Sequence, residues 1–199
     1  MKRLLPRCIP LEAKEELRRR FLAQRAALSA AEKQEIDRGI TAHVLESTLF
    51  AQAACVFCYV STPEEIDTRR ILQAVLDAGK TLCVPRCVSK GEMVAHRIDS
   101  LDALHSGRYG ILEPAADAPE IAPAQIDLIL APALACDRQG YRLGYGGGFY
   151  DRFLSRSGAA CAALCAQERL LDRLPHTALD QRCGWIFTER QVLHPHDEQ

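Results

Sequence analysis

A continuous apolar run, Leu128-Ile129-Leu130-Ala131-Pro132-Ala133-Leu134-Ala135, begins after Asp127 and ends at Cys136-Asp137. A polar turn follows, then Gly140-Tyr141-Arg142-Leu143-Gly144-Tyr145-Gly146-Gly147-Gly148-Phe149-Tyr150-Asp151. This order, strand to glycine-rich loop to helix-like segment, constrains the chain more than any other feature. It predicts an anion pocket. The strand fixes the loop, the glycines expose backbone N–H groups, and the following helix start adds the positive end of its dipole. Glycine suits such a loop because it tolerates positive φ and lets an anion approach the backbone closely.

The 199 residues suffice for one domain with a substantial core, expected to span 1–199, and no stretch reads as an interdomain linker. A formal net charge of −1 argues against general nucleic-acid binding, which needs a basic excess. No apolar run approaches the roughly 20 residues of a membrane span. The N-terminal segment lacks the basic-then-apolar pattern of a signal peptide, so a cytoplasmic protein without membrane or nucleic-acid partners is expected. Nine cysteines are many for such a protein. Cys55 and Cys58 have C-x-x-C spacing, but they fall in an apolar segment that reads as a buried strand. Positions three apart on a strand face opposite ways, so a shared metal or redox pair is not expected there. Cys83/Cys87 and Cys161/Cys165 lack a matching second pair and read as small buried residues.

Helices are predicted over residues 11–28, with an apolar stripe of Leu17, Phe21, Leu22 and Leu28, and from Ser29 toward Leu49. Ser29 and Glu32 have capping-box spacing. A strand is expected at 54–60. Pro63 marks a turn, and a helix over 67–76 is capped by Asp67 and closed by Gly79. Strands follow at 80–85 and 92–98. The region 100–125 reads as loop with short helical pieces. The central strand is placed at 126–131, a helix at 149–155, and further strands at 159–165 and 185–188. Alternating strands and helices predict an α/β fold, a three-layer, mostly parallel sheet with flanking helices.

In the first helix, Glu15 stands four residues before Arg19 and Glu16 four before Arg20, the favourable order for helical ion pairs. Lys14 and Arg18 instead stack like charges one turn apart, a spacing that a polyphosphate would relieve. A solvated charged face explains the same pattern, and the residues alone leave both readings open. The glycine loop is not a P-loop, because no Gly-Lys-Ser/Thr follows, and it departs from the dinucleotide fingerprint. Arg142 offers a fork of donors to phosphate oxygens. Asp151 fits either a magnesium ligand or an acid compensating a helix start. Glu64, Glu65 and Asp67 cluster after the strand ending near Val60, where open α/β sheets place ligands, though turn and capping roles suit them too. His176, His194 and His196 show no metal-ligand spacing.

Together these segments resemble the 5-formyltetrahydrofolate cyclo-ligase family, also called methenyltetrahydrofolate synthetase. The resemblance rests on Arg142 to Asp151 after Asp127-Leu128-Ile129. Supporting it are Lys14, Arg18, Glu65-Ile66-Asp67-Thr68, Val84-Pro85-Arg86, Gly110-Ile111-Leu112-Glu113-Pro114, Leu174-Pro175, Asp180 and Thr188-Glu189. It implies a fold related to the ribose-phosphate isomerase and CoA-transferase group. It also implies conversion of 5-formyltetrahydrofolate to 5,10-methenyltetrahydrofolate, driven by ATP and magnesium with release of ADP and phosphate, in a monomer. By this resemblance Lys14, Arg18 and Arg142 hold ATP phosphates together with Leu143, Gly144, Tyr145, Gly146, Gly147, Gly148, Phe149 and Tyr150. Arg142 and Lys14 act as catalytic cations, and Asp151 and Asp180 are the magnesium positions. Val60, Glu65, Tyr109, Phe149 and Tyr150 bind the folate, Glu65 as an acid matched to the donors of the pterin ring.

The sequence departs from the family pattern at three places. Cys183-Gly184-Trp185 stands where many relatives have an acidic residue or proline. Arg169 replaces a frequent glutamine, and Phe149 lacks a hydroxyl that some relatives carry. Two other readings are a non-catalytic folate- or nucleotide-binding protein, and a sugar-phosphate isomerase or CoA-transferase-like enzyme sharing only the fold. The second needs no ATP, and the Lys14/Arg18 pair with two aspartates argues against it.

Overall fold

A computed structural model describes residues 11–107 and 110–195. The helices are α1 (Leu11–Ala26), α2 (Ala30–Glu46), α3 (Thr48–Gln52), α4 (Arg69–Asp77) and α5 (Phe149–Leu154). The strands are β1 (Cys55–Cys58), β2 (Thr81–Ser89), β3 (Glu92–Ile98), β4 (His105–Ser106), β5 (Leu112–Glu113), β6 (Glu120–Ile121) and β7 (Leu128–Pro132). They continue with β8 (Ala135–Asp137), β9 (Arg142–Leu143), β10 (Ala160–Leu164), β11 (Leu170–Leu171), β12 (Trp185–Phe187) and β13 (Val192–Leu193).

The main sheet has eight strands in the order β13-β12-β10-β7-β1-β2-β3-β6. Its centre, β12 to β2, is parallel throughout. Antiparallel strands β13, β3 and β6 extend the two edges. The centre is covered on both faces, which is why β1 and β7 read as unbroken apolar runs rather than alternating ones. One face packs Val56, Cys58, Leu128 and Leu130 under Ile40 and Val44 of α2 and Ile71, Leu72 and Val75 of α4. The other packs Cys55, Phe57, Ile129, Cys161 and Ala163 against Phe153 of α5. Cys55 and Cys58 therefore lie on opposite faces, as the strand reading required.

Several boundaries differ from expectation for identifiable reasons. α1 ends at Ala26 because Ser29 starts a new helix, with both halves of its capping box formed to Glu32. β2 runs on through Pro85 to Ser89. Its pairing with β1 stops at Cys83, so Pro85 needs no N–H on that side and β2 continues as the partner of β3. Thr68, not Asp67, is the N-cap of α4. Asp67 still accepts a hydrogen bond from the Arg69 N–H at 2.9 Å. Gly79, at φ +67°, closes that helix as expected.

A second sheet, β11-β8-β9, sits at the carboxyl ends of the central strands. The β8–β9 hairpin is organised by Asp137, which is fully buried. Its Oδ1 accepts the N–H groups of Gln139 at 3.0 Å and Tyr141 at 2.9 Å, and its Oδ2 that of Leu174 at 2.8 Å. One carboxylate thus shapes the turn and anchors the chain after β11. α1 lies across this sheet, with Phe21 and Leu17 packed against Leu134, Ala135, Leu143 and Leu174.

Two substitutions test this packing. A Cβ at Gly39 of α2 would stand 2.7 Å from the Glu189 Cβ and 2.9 Å from its Cα and carbonyl oxygen. Gly39→Ala should therefore cost about 1–3 kcal/mol, read as a lower urea midpoint. Asp137→Asn replaces an acceptor oxygen by an NH₂ donor facing a buried N–H, and should cost about 1–3 kcal/mol in the same measurement.

Candidate active site

Arg142 opens β9 with its side chain only 4% exposed. Its Nη2 donates to Asp151 Oδ1 at 3.0 Å and its Nη1 to the Gln181 carbonyl at 3.0 Å. The Gln181 N–H in turn donates to Asp151 Oδ1 at 3.0 Å, closing a ring of three hydrogen bonds. Burial alone works against the charge on Arg142, but the Cys183 sulfur and the Asp151 carboxylate outweigh it and hold the guanidinium charged.

The Lys14 Nζ donates to both oxygens of Asp180, at 2.8 and 2.7 Å. Asp180 Oδ2 also accepts from the Thr177 N–H and hydroxyl. Burial raises the Asp180 carboxyl pKa, but these donors win and hold it below the usual carboxylate range. Arg18 Nε donates to the Gly144 carbonyl at 2.9 Å, and Arg25 Nη1 to the Tyr145 hydroxyl at 2.5 Å. Lys14, Arg18 and Arg25 of α1 thus face inward, onto Asp180 and the glycine loop, while Arg19 and Arg20 are exposed. The expected Glu15–Arg19 and Glu16–Arg20 ion pairs do not form, and Glu15, Glu16, Arg18, Arg19 and Tyr145 instead line a cavity of about 590 Å³.

The loop itself is held from behind. Arg152 donates through Nε to the Gly91 carbonyl at 2.6 Å and through Nη2 to the Gly147 carbonyl. Gly146, at φ +95°, passes so close to Arg18 that an added Cβ would lie 3.2 Å from its Cζ. With the carbonyls of Gly144 and Gly147 taken by arginines, the N–H groups from Gly144 to Gly148 meet no acceptor among the described residues. The helix that follows is only six residues long, and these N–H groups are the donors that the loop leaves open beside it.

Beside the loop, at the carboxyl end of β1, Val60 is buried and Glu65 Oε2 accepts the Thr62 N–H at 2.9 Å. Burial and then the nearby Glu65 raise the pKa of the Tyr145 hydroxyl. Burial, Cys58 and Glu65 do the same for Tyr150. Tyr150 packs near Phe57 and beneath Arg142, and its buried hydroxyl has no hydrogen-bond partner among the described residues. Phe149 is half-buried beside it. Tyr109 and His196 lie outside the described residues.

Among the described residues no cluster of three or more His, Cys, Asp or Glu is poised around a metal. Magnesium on a nucleotide takes one or two carboxylates, with phosphate oxygens and water completing its shell. Asp151 and Asp180 offer two such carboxylates: Gln181, next to Asp180, bonds Asp151, and Asp151 Oδ2 accepts no hydrogen bond among the described residues.

Asp137, Arg152 and Gln181 are supports that sequence reasoning missed, as is a pair of buried sulfurs. Cys161 and Cys183 stand 2.9 Å apart, with Cys183 Sγ 4.0 Å from Arg142 Nη1. Donation by the Cys161 thiol, with help from Arg142, lowers the pKa of Cys183. Only the Asp137-to-Gly140 turn had a local signal; the other partners are remote in sequence. His176 stacks on Tyr141 with ring centroids 3.8 Å apart, and His194 meets Trp185 edge-on, neither in a metal set.

Residues 10–189 match the 5-formyltetrahydrofolate cyclo-ligase family. A probable 5-formyltetrahydrofolate cyclo-ligase of Caenorhabditis elegans is 28% identical, over 92% of this chain and 95% of that protein. The 5-formyltetrahydrofolate cyclo-ligase of Escherichia coli K12 is 30% identical over 66% of this chain and 74% of its own. Among solved structures, the 5,10-methenyltetrahydrofolate synthetase of Aquifex aeolicus superposes with a TM-score of 0.83 at 30% identity, covering 94% of each chain. With a family match spanning the whole site from Lys14 to Asp180, the chain belongs to the 5-formyltetrahydrofolate cyclo-ligase family.

Proposed function

We propose that this protein converts 5-formyltetrahydrofolate to 5,10-methenyltetrahydrofolate with ATP and magnesium, working as a single domain. The observation that carries the reading is the row of N–H groups from Gly144 to Gly148 with no acceptor among the described residues, with Arg18 on the loop carbonyl, Arg142 on Asp151 and Lys14 on Asp180. A formamide oxygen is a poor leaving group. Transfer of the ATP γ-phosphoryl group to it makes a good one. N10 of the folate then attacks the activated carbon, the ring closes, the N10 proton passes to solvent and phosphate leaves.

Such a reaction needs positioning and charge neutralisation more than covalent participation by the protein. The loop N–H groups, Arg18, Arg142 and Lys14 would orient the triphosphate. Asp151 and Asp180 would hold magnesium, which supplies charge neutralisation for the phosphates. Before binding, these groups neutralise one another, Lys14 with Asp180 and Arg142 with Asp151. Phosphate oxygens and the metal would give each charge a new partner, so the site is balanced in both states and leaves no buried charge unpaired. On the folate side, Glu65 would accept from pterin N–H groups. The Tyr150 hydroxyl, kept protonated by its raised pKa, would form the hydrogen bond it lacks within the protein.

The product absorbs in the near ultraviolet, so incubation with 5-formyltetrahydrofolate should give a rising signal only when magnesium-ATP is present. Arg142→Ala or Asp151→Asn should slow that rise by about 10²–10³-fold with circular dichroism unchanged. Full turnover in either variant would refute the site assignment. Tyr150→Phe should raise KM for the folate by up to about tenfold and leave KM for ATP in place.

A further inference from the structure

Arg169 lies in the bend between β10 and β11 and is only 5% exposed. Its Nε is buried without a hydrogen-bond partner. No carboxylate among the described residues pairs with its guanidinium. A buried guanidinium nitrogen without an acceptor is costly, and a bound anion would supply one. The position is specific. Arg169 directly precedes Leu170, which pairs with Cys136, and Cys136 pairs with Arg142 on the next strand. Its main chain therefore stands two strand spacings, roughly 10 Å, from that of β9, which leads into the glycine loop. Leu170 packs into the core that holds Phe153, whereas Leu171 packs beneath α1 with Phe21. Arg169 closes the turn Gln167–Arg169 directly before Leu170, so it enters the small sheet across which α1 lies, the helix from which Arg18 reaches the loop.

We propose that Arg169 is an additional phosphate-binding residue of this site, a fourth cation acting with Lys14, Arg18 and Arg142 on the polyphosphate. The proposal rests on the nucleotide-dependent reading above and refines it. A guanidinium holds its charge in a dry setting and offers paired donors to phosphate oxygens, which a neutral amide of similar size does not.

The probe is inorganic tripolyphosphate, titrated calorimetrically into the full-length protein. Arg169→Gln should weaken its binding by about ten- to a hundred-fold and flatten the salt dependence. Arg169→Lys, which keeps the charge and loses the fork, should fall between. Titration with 5-formyltetrahydrofolate alone should be unaffected by either change. Unchanged tripolyphosphate affinity in Arg169→Gln overturns the proposal. So does a loss confined to the folate, which would assign Arg169 to the glutamate carboxylates. The cyclo-ligase reading fails separately: if the wild type makes no methenyl product with magnesium-ATP while tripolyphosphate binding still depends on Arg169, the anion site stands and the reaction falls.

Discussion

The ring formed by Arg142, Asp151 and Gln181 is the interaction on which the site depends. It joins three places far apart in sequence: the start of β9, the first turn of α5, and the segment before β12. Without it, the glycine loop would depend on the β8–β9 pairing at its start, Arg152 behind and α1 above. Because Arg142 is buried, loss of Asp151 would leave a charge in a dry setting, which is far more disruptive than loss of an exposed ion pair. The ring therefore fixes loop geometry and stores, in one place, a cation suited to phosphate and a carboxylate suited to a metal.

The surrounding fold explains why that ring can exist. Parallel strands buried on both faces bring their carboxyl ends to one edge of the sheet, the general location of ligands in open α/β architectures. Asp137 turns the chain back at that edge and aims Arg142 inward. The antiparallel flanking strands extend the sheet past strands such as β2, whose Pro85 could not have donated to a neighbour on the β1 side, and the β2–β3 turn supports the site through Gly91.

Much of this was legible in the sequence, and what was not shares one cause. Strand and helix order followed from local periodicity, and the glycine loop, Lys14, Arg18 and Arg142 stood out because unusual residue types sat close together. The direction of the α1 charges was not readable: Glu15 and Glu16 had ideal spacing for helical pairs, yet Lys14 and Arg18 were the residues with tertiary partners. Likewise Cys161 read only as a small buried residue, whereas β10–β12 register brings it to Cys183. Arg152 reaches the carbonyl of Gly91, sixty-one positions away. Such contacts are decided by which elements become neighbours, information carried by the whole fold rather than by any short window.

The attachment of α1 has a consequence of its own. The helix buries its apolar side in a separate small cluster around Phe21, outside the two cores that cover the main sheet. Its other fastenings are polar, and they end on the loop and on Asp180. Lifting it would expose a few side chains while the sheet stayed intact, so α1 forms its own cooperative unit of local opening. Amide hydrogens along α1 would then exchange on a faster clock than those of β1 or β7, and occupancy of the loop would slow that clock by adding a shared ligand beneath the helix.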